Sequence, residues 1–393
     1  MMPRTFGLLP DGRPVMQATI SGHGLTASVI TLGASLQDLR LAGIGHPLVL
    51  GFPRLAPYLD EGRYFGAVIG RYANRIAHGR ATLDGQRLQL DRNQDGRHML
   101  HGGHDGCGTR NWMLADWDES SVALADHLPA GHMGFPGAML IRATWSILPG
   151  PVLMLTILAT SDDTTFCNFA QHSYFNLDGT DTVAGHRLTV PAETYLPVDE
   201  DMIPLGAPAA VQSTHLDFRN PVTLAERLKG PRIDHNLCLS DRRRIVPRKA
   251  AVLQAGGLMM TLRSTEPGLQ VYAGEHLAPG ASGLGGRPYG RHAGIALESQ
   301  LWPDAPNHAD YPSARLEAGQ RREQRDLEQV LRKSTPFLFT TIDGAHIVYI
   351  GLCHFRCVFP GISLFHQRHD TGSVVAVQSA EDTHNREITC FKG

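Results

Sequence analysis

The chain has 393 residues, 42% of them hydrophobic and 19% charged, with a formal net charge of -2. It is long enough for one big all-β domain or two ordinary domains, and its near-neutral balance excludes an overall field favouring nucleic acid or an anionic membrane. Six cysteines (Cys107, Cys167, Cys238, Cys353, Cys357 and Cys390) show no repeated pair spacing, which points to reduced thiols rather than a disulfide framework.

The first residues, MMPRTFGLLPDGRPV, contain no continuous apolar region before a small-residue cleavage site. No stretch reaches the roughly 18 apolar residues of a membrane span, so a soluble, cytoplasmic protein without a membrane partner is expected. Leu25–Thr31, Ala138–Leu148 and Val152–Thr160 are rich in apolar and β-branched residues and read as strands. Asp84-Gly85 between Ala81–Leu83 and Gln86–Leu90 predicts a type I′ hairpin; Leu148-Pro149-Gly150-Pro151 and Ala255-Gly256-Gly257-Leu258 predict two more. Helical periodicity is scarce up to about residue 320, and the close spacing of turn signals predicts a large antiparallel sandwich.

Four stretches carry the candidate chemistry. Gly70–Ile76 (GRYANRI) and Leu100–Gly103 (LHGG) combine Asn and Arg donors suited to sugar hydroxyls with glycines that allow close approach of a ligand. Phe166–Asp178 sets His172 among Phe166, Phe169, Tyr174 and Phe175, as a strand or strand end closed by Asp178-Gly179. An imidazole so placed is either a tuned acid or a satisfied core histidine. In Arg232–Asn236, Asp234 either caps a turn or accepts two hydroxyl hydrogen bonds. In Ala293–Gln300, Glu298 interrupts an apolar run, and a carboxylate buried without a partner is costly enough to imply use or pairing.

There is neither a G-x-x-x-x-G-K-[ST] phosphate loop nor a G-x-S-x-G nucleophile elbow. General acid–base chemistry is the simplest use of these residues. Glycoside hydrolysis by Asp234 with Glu298 stays open.

Arg321–Lys333 (RREQRDLEQVLRK) places Leu327, Val330 and Leu331 at helical spacing and reads as a short surface helix. Beyond it, Cys353-His354 and Cys357 lie close together without a second well-spaced pair, so no metal site is expected.

Taken in order, FGLLPDGRPV, IGRYANRI, LHGG, GFPG, QHSYFNLDG, YLPVDEDMIP, DFR, IDHN, EPGLQVYAGEHL and ALESQLWPDAPNH resemble the aldose 1-epimerase (galactose mutarotase) family over about residues 5–320. The resemblance implies a single β-sandwich with an open cleft over 1–320, followed by an atypical segment, 321–393. It implies interconversion of the α and β anomers of a free aldohexose such as galactose or glucose, without a cofactor. It implies Glu298 as general base, His172 as general acid and His101 as a second active-site histidine. Asn74, Arg75, Asp234, Gln270 and Tyr174 match sugar-contacting positions, with Arg71 in support. On this reading Glu298 starts ionised and His172 protonated, each favoured by nearby opposite charge.

Gln171 stands where the family usually has Asn, Tyr72 where it is small and aliphatic, and the chain continues past the Glu317–Gln320 turn at which members usually near their end. That tail is either an appended segment or a sequence unrelated to the ancestral fold, such as a shifted reading frame or fusion; a lost last core strand would expose a sheet edge unless the tail supplies a substitute. A hexose-phosphate mutarotase, with Arg242–Arg244 as phosphate candidates, and a non-catalytic sugar-binding module are the competing functions. The chain is expected to be a monomer or homodimer.

Overall fold

Turn chemistry sets much of the strand pairing in the computed structural model, which describes residues 2–332 with their side chains and, beyond them, the backbone of Phe339–Ile342, Ala345–Val348, Leu364–His369 and Gly372–Val377. Asp84 and Gly85 both adopt left-handed conformations (φ 50° and 78°), so Leu83 pairs directly with Gln86 as the type I′ reading requires. Gly256 and Gly257 (φ 56° and 76°) likewise close Ala255 onto Leu258, and Leu148 pairs with Val152 around the third turn.

These hairpins build two large antiparallel sheets. One has nine strands, in the order Met113–Trp117, Ser121–Leu128, Met139–Leu148, Val152–Ser161, Arg321–Arg332, Leu258–Ser264, Arg248–Ala255, Arg187–Thr189 and Val222–Thr223. The other has six, in the order Tyr174–Phe175, Ile295–Gln300, Gly268–Tyr272, Asp234–Cys238, Thr194–Tyr195 and Ala209–Ala210. A four-stranded antiparallel sheet formed by Arg4–Leu8, Pro14–Gly22, Leu25–Ile30 and Ser35–Leu41 precedes them.

One continuous core joins the two large sheets. Val122, Trp145, Leu155 and Leu262 from the first pack with Phe175, Leu237, Val271, Ile295 and Leu297 from the second. Each such side chain contributes about 1.5–3 kcal/mol by leaving water, and the buried Trp145 indole N–H donates to the Ala34 carbonyl at 3.0 Å. The all-β reading holds: the single α-helix among the described residues is the one-turn Leu224–Arg227. None of the helices among them is long and apolar enough to cross a membrane.

The expected surface helix at Arg321–Lys333 is corrected: Arg321–Arg332 is a strand in the interior of the nine-stranded sheet. It pairs in register with Val152–Thr160, for example Leu155 with Asp326 and Leu153 with Glu328. The slot between Val152–Ser161 and Leu258–Ser264 carries backbone groups that need partners, and filling it outweighs the helical spacing of three apolar residues. The cost is visible in the core. Gln324, Asp326 and Glu328 alternate with partly exposed residues and are buried, whereas Leu331 is exposed.

The first compact unit extends to Leu331, past the expected boundary at residue 320. The second begins at Arg332, and its described strands form an antiparallel sheet in the order Phe339–Ile342, Ala345–Val348, Gly372–Val377, Leu364–His369. Cys353, His354, Cys357 and Cys390 lie outside the described residues. Cys107, Cys167 and Cys238 are buried free thiols.

Candidate active site

The six-stranded sheet sorts its residues by face. Along Ile295–Gln300, Ile295 and Leu297 enter the core, so Ala296, Glu298 and Gln300 point to the opposite face. Glu298 lies directly opposite Gln270, which lies directly opposite Asn236. In the adjacent row, Tyr174, Ala296, Tyr272 and Asp234 are paired in the same way. Residues paired across antiparallel strands share a face, so four strands place Glu298, Gln270, Asn236, Asp234, Tyr272 and Tyr174 together. Gln270 Nε2 donates to Asp234 Oδ1 at 2.7 Å, and Arg232 Nη2 donates to Asp234 Oδ2.

His172 enters from the segment between Ala170–Gln171 and Tyr174–Phe175. Its backbone N–H donates to Ala67 O at 2.8 Å and its carbonyl accepts from Gly66 N at 3.0 Å, which fixes the ring's origin. His172 Nε2 then lies 3.6 Å from Glu298 Oε1, close enough for charge interaction but longer than a direct hydrogen bond. The His101 ring stands edge-on to His172 at 5.5 Å, and Tyr174 flanks it at 5.1 Å.

The Asn74 backbone N–H donates to His101 Nδ1 at 3.2 Å. An N–H can only donate, so Nδ1 is the acceptor and a neutral His101 carries its proton on Nε2. Asn74 Oδ1 accepts from the Arg75 N–H, and Arg75 Nε donates to Gln94 Oε1 at 2.9 Å. Asp304 secures this segment to the chain beyond Glu298, donating its N–H to Arg75 O and accepting from Ala77 N–H.

Burial dominates the electrostatics. It holds the Glu298 carboxyl well above the usual carboxylate range; Asp234 pushes the same way, and Arg75 opposes. Burial also pulls His172 down to about 4, against the raising effects of its own backbone and of Asp234. His101 is held well below the ordinary histidine value by burial, then by His172 and Arg75. The expectation of an ionised Glu298 beside a protonated His172 is therefore corrected for the ligand-free site: loss of water drives both groups towards neutrality. His172 Nδ1, Glu298 Oε2 and Gln270 Oε1 are buried without a hydrogen-bond partner. Such open valences suit a ligand dense in hydroxyls.

The sequence model of the aldose 1-epimerase family matches residues 16–326. The chain belongs to the aldose 1-epimerase family. It is 36% identical over 324 residues to galactose mutarotase from Rattus norvegicus, covering 80% of this chain and 94% of that protein. It is 34% identical over 327 residues to aldose 1-epimerase from Escherichia coli K12, covering 79% and 93%. Among solved structures, a C. elegans aldose epimerase homologue superposes with a TM-score of 0.75 at 28% identity, over 81% of this chain and 99% of that one. The chain is thus an isomerase, a mutarotase of this family.

Eight of the nine positions carried over from the aldose 1-epimerase motifs, Glu298, His172, His101, Asn74, Arg75, Asp234, Gln270 and Tyr174, meet in this cluster. Arg71 does not join them. Its Nη1 donates to the Pro136 and Gly137 carbonyls at 2.9 and 3.1 Å and to Thr165 Oγ1 at 3.2 Å, and its guanidinium lies over the Phe135 ring. Tyr72, a departure from the family pattern, is also spent on the scaffold: its hydroxyl accepts from Ala305 N–H at 3.0 Å. The other departure, Gln171, donates to Ser173 Oγ.

Sequence reasoning missed Tyr64, whose ring is stacked 6.3 Å from His172 and edge-on to His101 at 5.0 Å. It also missed Gln94, which holds Arg75, and Asn236, although the latter lies within the IDHN motif. Period-two alternation from Asp234 through Asn236 was the available signal for Asn236; nothing local marks Tyr64 or Gln94.

Proposed function

We propose that the chain interconverts the α and β anomers of a free aldohexose such as galactose or glucose, with Glu298 and His172 as its acid–base pair. The observation that carries this reading is the 3.6 Å approach of His172 Nε2 to Glu298 Oε1, with Glu298 Oε2 and His172 Nδ1 both lacking partners. The near-neutral charge of the chain suits an uncharged sugar rather than nucleic acid. A cytoplasmic monomer or homodimer belongs to the same proposal.

Sugar hydroxyls donating to Glu298 favour its carboxylate, which offsets the burial that raises its proton affinity in the empty site. The proton then resides on His172, and the pair is set for reaction. Glu298 removes the proton from the anomeric hydroxyl while His172 delivers one to the ring oxygen, and the C1–O5 bond opens to the free aldehyde. Rotation about C1–C2 presents the other carbonyl face. The ring closes with the two residues exchanging roles, so no electrons or atoms are left over. Neutral His101 offers Nε2–H as a donor to an oxygen, while Arg75, Asp234, Gln270 and Asn236 supply the polar contacts that orient the sugar.

Polarimetry of freshly dissolved α-D-galactose and α-D-glucose tests the proposal. Faster decay of rotation by the folded wild-type protein supports it, and the ratio of the two rates reports preference. Sugar binding without faster anomer exchange overturns it.

A further inference from the structure

Arg242-Arg243-Arg244 is a run of three cations that the site above does not use. The structure divides it. Arg243 turns inward, its Nε donating to Glu266 Oε2 at 2.7 Å. Arg244 is held by its backbone N–H to Thr265 O at 2.8 Å, and it lines a cavity of about 270 Å³ with Ser240, Arg248, Lys249, Ser264 and Glu266.

Arg248 and Lys249 are adjacent in one strand, where successive side chains ordinarily point to opposite faces. Both nonetheless border the same space, at the end of the strand where Arg248 pairs with Ser264 and Lys249 with Arg263, just before the register shifts ahead of Ala251. Leu239 and Ser240, which also line the cavity, are held by their N–H groups, both donating to Pro267 O, at 2.8 and 3.1 Å.

Among the described residues, no carboxylate lies within ion-pairing distance of Arg244, Arg248 or Lys249. Glu266 is the one acidic residue bordering the cavity, and its charge is already engaged by Arg243 at 2.7 Å and Arg322 at 3.8 Å. Three unpaired cations around one concave space repel each other and attract a multiply charged anion. A phosphate monoester fits this demand best, because its three terminal oxygens meet guanidinium forks and an ammonium at once.

Phosphate alone would leave much of the space empty. Ser240 and Ser264 border the remainder. Neither His172 nor Glu298 lines it, so it is separate from the mutarotation site.

We propose that this cavity binds the phosphate ester of a small polyol, of monosaccharide size. Binding is independent of the assignment of Glu298 and His172. The test is titration calorimetry on the full chain with glucose 6-phosphate, run in saturating glucose so that the neutral-sugar site is already occupied, with inorganic phosphate titrated in parallel. Saturable binding of the ester, tighter than that of inorganic phosphate and weakened by added salt, is expected. Arg248→Gln combined with Lys249→Gln should weaken it by roughly tenfold or more, and Arg244→Gln alone should also weaken it, with anomer exchange unchanged in all variants. Absence of saturable binding at millimolar ester, or binding undiminished in these variants, overturns the site. Equal affinity for inorganic phosphate and the ester overturns the polyol part of the assignment.

Discussion

Gln270 stands directly opposite Glu298 on neighbouring antiparallel strands, and its amide also donates to Asp234 Oδ1 at 2.7 Å on the next strand. One register thus ties the proposed base to the carboxylate that most strongly affects it after burial. Because side chains alternate with period two, a slip of one residue would send Glu298 into the apolar core and Leu297 into the cleft.

Removing either member of the acid–base pair should nearly silence the enzyme. Glu298→Gln, which is isosteric, and His172→Asn, which keeps a polar side chain, are each expected to lower the rate of anomer exchange by about 100- to 10,000-fold with the fold retained. Polarimetry together with circular dichroism checks this; a folded variant retaining full activity would contradict the assignment.

The pH profile follows from the directions of the two shifts. Burial lowers His172 to about 4 and raises Glu298 well above its ordinary value, so over the range between them the pair carries one proton. Below that range both groups are protonated and no base remains; above it neither is, and no acid remains. Enzyme-catalysed exchange, corrected for the buffer reaction, should stay level near neutrality and decline as pH approaches about 4. An acid limb of kcat/KM near the ordinary histidine value would show that His172 is not desolvated in the free enzyme.

Charge changes at two neighbours should move these limbs in defined ways. Asp234 raises both Glu298 and His172, so Asp234→Asn should shift both limbs to lower pH. Arg75 lowers Glu298, so Arg75→Gln should carry the alkaline limb upward. Sugar affinity should also fall in each variant, by roughly 10- to 100-fold, as hydrogen bonds to charged groups are lost. Limbs that stay in place in both variants would exclude the electrostatic coupling.

The strand Arg321–Arg332 should make stability pH-dependent. Burial raises Asp326 to about 6 and Glu328 to about 8, with Asp326 adding to the latter. A group whose folded value is raised contributes stability fully below its unfolded value and loses it as pH rises through the folded value. The melting temperature should therefore fall between about pH 4 and pH 8, with a loss on the order of 3–5 kcal/mol associated with Glu328. Asp326→Asn combined with Glu328→Gln should flatten that dependence in thermal scans; an unchanged slope would place these carboxyls in water.

Arg71 should matter for stability rather than chemistry. Arg71→Met leaves the Pro136 and Gly137 carbonyls and Thr165 Oγ1 without their donor, at a cost of about 2–4 kcal/mol. Denaturant titration should show the loss, while KM for the sugar in the folded fraction should be unchanged. A raised KM at full stability would return Arg71 to the sugar site.

Much of this protein was legible before folding. Asp84-Gly85 and Gly256-Gly257 specify hairpins because few residues accept two successive left-handed conformations, and strand composition marks an all-β chain. Glu298 stands out locally, because a carboxylate within an apolar run must be paired or used. Other features depend on partners distant in sequence. Arg71 and Arg75 lie in one short motif with similar chemistry, yet one guanidinium is spent on a loop near residue 137 and the other lies among the site's carboxylates. The local spacing of Arg321–Arg332 favours a helix, but a vacant place between two strands makes it a strand even at the expense of burying Asp326 and Glu328. Sequence alone determined which residue types and turns were available; only the tertiary structure decided which faces met, because backbone pairing across the sheets must be satisfied before any one side chain finds its preferred surroundings.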